Sequence, residues 1–152
     1  MITVLFGQPH SGKTTLAKEL QVGTCAHHID GDTLRDIFQN KDYSREGRIK
    51  NLNRASDIAV YLDSTSGCDV ILSLVYPYKE AREYLNSLTD DVKWVYLHYN
   101  GERGRENFHV KDFELDLLEE KVLPLSTSTH SVEDCIILIK NYINEKRISG
   151  GK

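Results

Sequence analysis

The sequence predicts an α/β fold, a mostly parallel twisted sheet of about five strands with helices on both faces. Three observations carry that prediction. Short apolar runs alternate with helical patterns along the chain, the signature of parallel strands joined by crossover helices. The run CDVILSLVY, 68–76, is β-branched and apolar enough to be buried on both faces. The first run, ITVLF, passes directly into a glycine-containing turn and then a helical pattern.

Each element follows in order. Residues 2–6 read as a strand, and Lys13 to about Val22 as a helix. Ala26 to Asp30 is a short strand, and a brief helix from Thr33 to Phe38 starts behind Asp32 as its cap. A long helix spans about Arg45 to Leu62 and stops before Ser64-Thr65-Ser66-Gly67. After the third strand, Pro77 stands just ahead of a helix from Lys79 to Leu88. VKWVYLHY, 92–99, is a fourth strand, and KVLPLST, 121–127, holds a short fifth. Ser131 caps a last helix whose Val132, Ile136, Ile139 and Ile143 recur at spacings of three and four. Two segments, 39–44 and 100–112, have no periodicity. One domain is expected over 1–146, with a flexible tail at 147–152.

The chain of 152 residues, 39% hydrophobic and 28% charged, has the size and composition of a single soluble domain. No apolar stretch approaches a membrane span, and the first residues lack the basic head and cleavage site of a signal peptide. Cys25, Cys68 and Cys135 are odd in number and widely spaced, so no disulfide framework is expected and a cytoplasmic, reducing setting is the simplest reading. The net charge of −4 gives no overall field for nucleic acid. Arg35, Lys41, Arg45, Arg48, Lys50 and Arg54 nonetheless crowd one stretch.

Gly7-x-x-x-x-Gly12-Lys13-Thr14 is a complete Walker A pattern, placed between a strand and a helix. Glycines let backbone N–H groups curl around a β-phosphate, and the helix adds its positive end. Lys13 reaches the β- and γ-oxygens, and the Thr14 hydroxyl serves Mg²⁺. The expected phosphate-binding set is Gly7, His10, Ser11, Gly12, Lys13, Thr14 and Thr15. There is no Asn-Lys-x-Asp guanine reader, and no acid ends LSLVYP. A kinase is therefore favoured over a switch GTPase or a motor.

HIDGDTLR places Asp30 at a strand end and Asp32 two residues on, with Arg35 one turn further. Strand ends expose the ligand crevice of an α/β sheet. Either carboxylate could align Mg²⁺ or take a proton from an attacking hydroxyl. On the long helix Leu52, Ala55, Ala59 and Leu62 form the inward stripe, and Arg48 and Asn51 share its sector at the helix head. An arginine there points to a cleft that receives an anion.

GQPHSGKTT, HIDGDTLR, YSREGRIKNLNR, ILSLVYPYKEARE and VKDFE occur in the order found in adenylyl-sulfate kinases, which the chain resembles over nearly its whole length. The resemblance implies a three-layer P-loop kinase fold. It implies transfer of the γ-phosphate of MgATP to the ribose 3′-hydroxyl of adenosine 5′-phosphosulfate. It further implies that Arg35, Arg48 and Asn51 hold the acceptor and that Tyr43 and Phe108 stack on its adenine. Lys13 and one of Asp30 and Asp32 are then the catalytic residues. Three features depart from the family. Tyr76 replaces a common serine, Gly47 replaces an acid, and the lid between Tyr99 and Phe113, with Arg103 and Arg105, is short.

ATP and adenylyl sulfate are thus the expected partners, with a homodimer left open and nucleic acid disfavoured. Other hydroxyl acceptors, such as a nucleoside, a sugar or a nucleic-acid end, and a non-catalytic nucleotide-binding role remain the alternatives. Cys25, His27 and His28 lack the partner pair a metal site needs.

Overall fold

The computed structural model describes residues 1–101, 109–115 and 121–149, the last four as backbone only. Five strands form one parallel sheet in the order β2-β3-β1-β4-β5: β1 Ile2–Phe6, β2 His27–Asp30, β3 Val70–Ser73, β4 Val92–His98 and β5 Val122–Ser126. The helices are α1 Lys13–Gln21, α2 Gly31–Phe38, α3 Arg45–Thr65, α4 Lys79–Leu88 and α5 Val132–Ser149.

Alternation along β1 sorts the core into two layers. Ile2, Val4 and Phe6 pack with Leu34 of α2, Leu52, Ala55 and Ala59 of α3, and Leu85 of α4. Leu5 faces the other way, with Leu16 and Leu20 of α1 and Ile139 of α5. The predicted inward stripe of the long helix is therefore the face buried on the sheet.

The boundaries differ from expectation in three places. Helix α3 runs three residues past Leu62, because the Ser64 and Thr65 hydroxyls donate back to the Val60 and Tyr61 carbonyls at 2.7 and 2.6 Å. Strand β3 stops at Ser73. The chain beyond it bonds irregularly, Leu74 N–H to Leu5 O and Gly7 N–H to Val75 O, until Tyr76 turns it away at φ 43°. Helix α5 continues through Ser149, three residues into the segment expected to be a tail. Ser131 caps α5 as expected, accepting from Asp134 N–H at 3.1 Å.

The cysteine expectation is overturned. Cys25 and Cys68 form a disulfide, with Cα atoms 5.6 Å apart, and Cys135 is free and buried. The sheet explains the pairing. His27 of β2 lies beside Val70 of β3, so residues two positions before each parallel strand enter side by side. Closing 43 residues of chain should contribute up to about 4 kcal/mol in the chain-entropy account. Thiol titration of the denatured, unreduced protein should find one free thiol, and three after reduction. Three free thiols before reduction would refute the pairing.

Candidate active site

The phosphate loop leaves β1 at the C-terminal edge of the sheet, where β1 lies between β3 and β4. Gly7, at φ 149°, has no room for a side chain, because a Cβ would collide with the Leu97 carbonyl oxygen. Gly12 caps α1 in the left-handed region at φ 98°, and His10 is also left-handed at φ 65°. Ser11 is buried, and Thr14 and Thr15 are exposed in the first turn of α1. All seven expected phosphate-loop residues thus lie in one turn and helix head.

Lys13 Nζ donates to Gly7 O at 3.1 Å, Gln8 O at 2.7 Å and Ser11 Oγ at 3.3 Å. Burial lowers the pKa of this ammonium to about 8, opposed by the charges of Asp32 and then Asp30. The loop is tied at two further points. The Thr127 hydroxyl, just past β5, donates to Ser11 O at 2.8 Å. The Gln8 amide makes two bonds to the backbone of Val110, donating to its carbonyl and accepting from its N–H, each at 2.8 Å.

Asp30 and Asp32 occupy different environments. Asp30 Oδ1 accepts from the Thr14 hydroxyl at 3.0 Å and the Ser73 hydroxyl at 3.1 Å. Its Oδ2 accepts from Thr33 N–H at 3.2 Å, so the cap of α2 is Asp30 and not Asp32 as expected. The reason is conformational: Asp30 is the last extended residue, at φ −100° and ψ 136°, and α2 begins at Gly31. Burial alone would raise the Asp30 carboxyl, but the Thr33 amide and the Thr14 and Ser73 hydroxyls outweigh it and hold the pKa below the usual value. Asp32 is exposed in the first turn of α2, close enough for its charge to raise Lys13 and Arg35.

The aperiodic segment 39–44 is a bonded loop. Arg35 Nη1 donates to Asn40 O at 3.1 Å, Asn40 Oδ1 at 3.3 Å and Asp42 O at 3.1 Å. Asn40 Nδ2 then donates to Gly47 O at 3.1 Å. Asp42 fills the space a side chain at 47 would need, so glycine there admits the loop. The result presents Tyr43, 62% exposed, with the Arg35 guanidinium 4.2 Å from its ring centroid. Burial lowers the Arg35 pKa, Tyr43 opposes, and the neighbouring Arg48 charge adds to the lowering. Asn51, 4% exposed, has an Oδ1 without a hydrogen-bond partner among the described residues. Phe108, Arg103 and Arg105 lie outside the described residues.

Two contributors escaped the sequence reading. Tyr78 donates to Asp112 Oδ1 at 3.3 Å, with Arg45 stacked on its ring at 4.2 Å and the Arg48 charge close enough to act on its hydroxyl. Its place in YPY, beyond the end of β3, was the available signal. Arg82 is 2% exposed and donates to Tyr76 O at 2.8 Å and Glu114 O at 2.6 Å. It fastens VKDFE to the irregular segment that follows β3. Tyr76 fills core rather than cleft: it is fully buried against Trp94, and its hydroxyl meets Ser56 Oγ at 2.9 Å.

A Walker A loop after β1, in this strand order and with an acid from β2 on its threonine, defines a P-loop kinase. Residues 1–106 match the family model described as adenylylsulphate kinase, and the chain belongs to that family. It is a phosphotransferase with an alcohol group as acceptor. The chain is 24% identical to the adenylyl-sulfate kinase of Staphylococcus carnosus, over 93% of this chain and 83% of that one. Its alignments with three further curated relatives take in only 52%, 57% and 47% of their lengths. Among solved structures, the APS kinase of Mycobacterium tuberculosis, in complex with AMPPNP and APS, superposes with a TM-score of 0.77 at 19% identity, covering 94% of this chain and 96% of that one. A sugar kinase from Janibacter superposes at 0.75 and 18%, covering 94% of each chain. The fold is therefore shared by kinases of different acceptors. No helix among the described residues is long and apolar enough to cross a membrane.

Proposed function

We propose that the chain transfers the γ-phosphate of ATP to the 3′-hydroxyl of adenylyl sulfate. The observation that carries this acceptor is the cluster of Arg35, Tyr43 and Arg48. The Arg35 guanidinium lies over the exposed Tyr43 ring, which a bonded loop presents, and the Arg48 charge is near enough to act against that of Arg35. Such an arrangement is costly unless an anion joined to a flat apolar group relieves it. A nucleotide with a sulfated phosphate answers that description. Asn51, buried near the head of the helix that carries Arg48, has a side-chain carbonyl oxygen left unpaired among the described residues.

The donor set suits Mg²⁺: an exposed threonine hydroxyl, a carboxylate accepting its proton, and no cluster of three or more acidic, histidine or cysteine ligands among the described residues. Mg²⁺ is held typically by few protein oxygens, with phosphates and waters completing its shell. When bound, it neutralises charge on the β- and γ-phosphates. Lys13 leaves the loop carbonyls for the β,γ-bridging region and balances charge on the departing ADP oxygen. Asp32, free of the hydrogen bonds that occupy Asp30, accepts the proton of the 3′-hydroxyl. The new O–P bond forms as the bond to ADP breaks.

The test is acceptor-dependent ADP release from MgATP with adenylyl sulfate, nucleosides, gluconate, other sugars and DNA 5′ ends in parallel. Adenylyl sulfate should give the highest kcat/KM by at least about a hundredfold. Preference for a sugar would replace the acceptor and keep the kinase. ATP binding without acceptor-dependent release from any compound would favour a non-catalytic role.

A further inference from the structure

Behind the Thr14–Asp30 pair stands a polar chain that phosphate binding does not itself require. Ser73 is the last residue of β3 and lies beside Asp30 in the sheet. It is 3% exposed, and its hydroxyl donates to Asp30 Oδ1 at 3.1 Å. On the other side of that hydroxyl, at 2.7 Å, is Nε2 of the partly buried His28.

Counting protons fixes the direction of the chain. Asp30 accepts from the Thr14 and Ser73 hydroxyls on Oδ1 and the Thr33 N–H on Oδ2. A hydroxyl has one proton, and Ser73 gives it to Asp30, so His28 Nε2 must carry the proton between the ring and Ser73. Burial keeps His28 below its usual pKa, with Asp30 opposing and Lys18 assisting. The neutral ring therefore has to be the Nε2–H tautomer. With Nδ1–H instead, Ser73 would turn to the ring and Asp30 Oδ1 would keep only Thr14.

We propose that His28 and Ser73 are positioning residues for Mg²⁺. They form a one-directional donor chain that locks Asp30 so that it takes the Thr14 proton and leaves the threonine lone pairs for the cation. Groups that orient a metal ligand from behind typically change metal affinity by about 10–100-fold when removed. This inference rests on reading the site as a Mg²⁺–nucleotide site, and its test separates the two.

The measurement is ADP affinity by calorimetry, in Mg²⁺ and in EDTA, for the wild type and for Ser73→Ala, His28→Leu and His28→Gln. The quantity read is the ratio of the two affinities. Ser73→Ala should reduce that ratio about tenfold and His28→Leu about threefold, with affinity in EDTA and Tm held. His28→Gln, whose amide nitrogen can donate where Nε2 does, should restore most of the ratio. Parallel weakening in both conditions would mean a general structural effect and overturn the chain. So would a full ratio in Ser73→Ala and His28→Leu while the wild type shows clear Mg²⁺ dependence. A wild type that binds no ADP in either condition overturns the site reading and the chain together.

Discussion

Lys13→Ala should abolish phosphoryl transfer, lowering kcat/KM by a factor of about 10³ or more, equivalent to about 4 kcal/mol of transition-state stabilisation. The fold should survive, since the ammonium is bonded only within its own loop, to Gly7, Gln8 and Ser11 among the bonds described. Circular dichroism and Tm would check the fold, and coupled ADP release the activity. The same residue should leave a mark on pH dependence. In the free protein its pKa is about 8, chiefly through burial. A bound polyphosphate adds negative charge and raises that value. The ammonium's contribution to binding is then complete below about pH 8 and is lost as pH climbs toward the raised, bound value. ADP affinity should fall from pH 8 to 9.5 in the wild type and stay level in Lys13→Ala. A level wild-type profile would contradict the assignment.

Asp32→Asn should lower kcat about 10²–10⁴-fold, the range for removing a general base, with nucleotide affinity and Tm little changed. Asp30→Asn should behave differently. Asparagine can still cap α2, but it loses the ionised acceptor of the Thr14 and Ser73 hydroxyls. Mg²⁺-dependent nucleotide binding should therefore weaken first, and turnover should fall with it. Single-turnover kinetics at saturating MgATP separate these outcomes. If Asp32→Asn keeps turnover within about threefold, Asp30 must take the proton.

Much of this arrangement was legible from short-range pattern. The Walker A pattern is contained in eight consecutive residues, Gly7 to Thr14, and needs no tertiary information. The stripe Leu52, Ala55, Ala59, Leu62 is a property of helical periodicity, and the sheet received it as expected. What escaped was lateral. Cys25 meets Cys68, and Asp30 meets Ser73, only because β2 takes the place next to β3. Strand order is not written in any single segment. The cap of α2 was misplaced because two acids flank one glycine, and only the extended backbone of Asp30 decides between them. Tyr78 and Arg82 belonged to a recognised stretch, yet their roles come from Arg48, Asp112 and Glu114, far away in the chain.

The two bonds between the Gln8 side chain and the Val110 backbone imitate one peptide group facing another. A proline at 110 would delete the donor, and leucine at 8 would delete both partners. Drift at these two places should consequently be correlated across related genes: a primary amide at the second loop position should co-occur with any residue but proline at its distant mate. That signature offers a way to sort sequences of this kind from their neighbours by inspection.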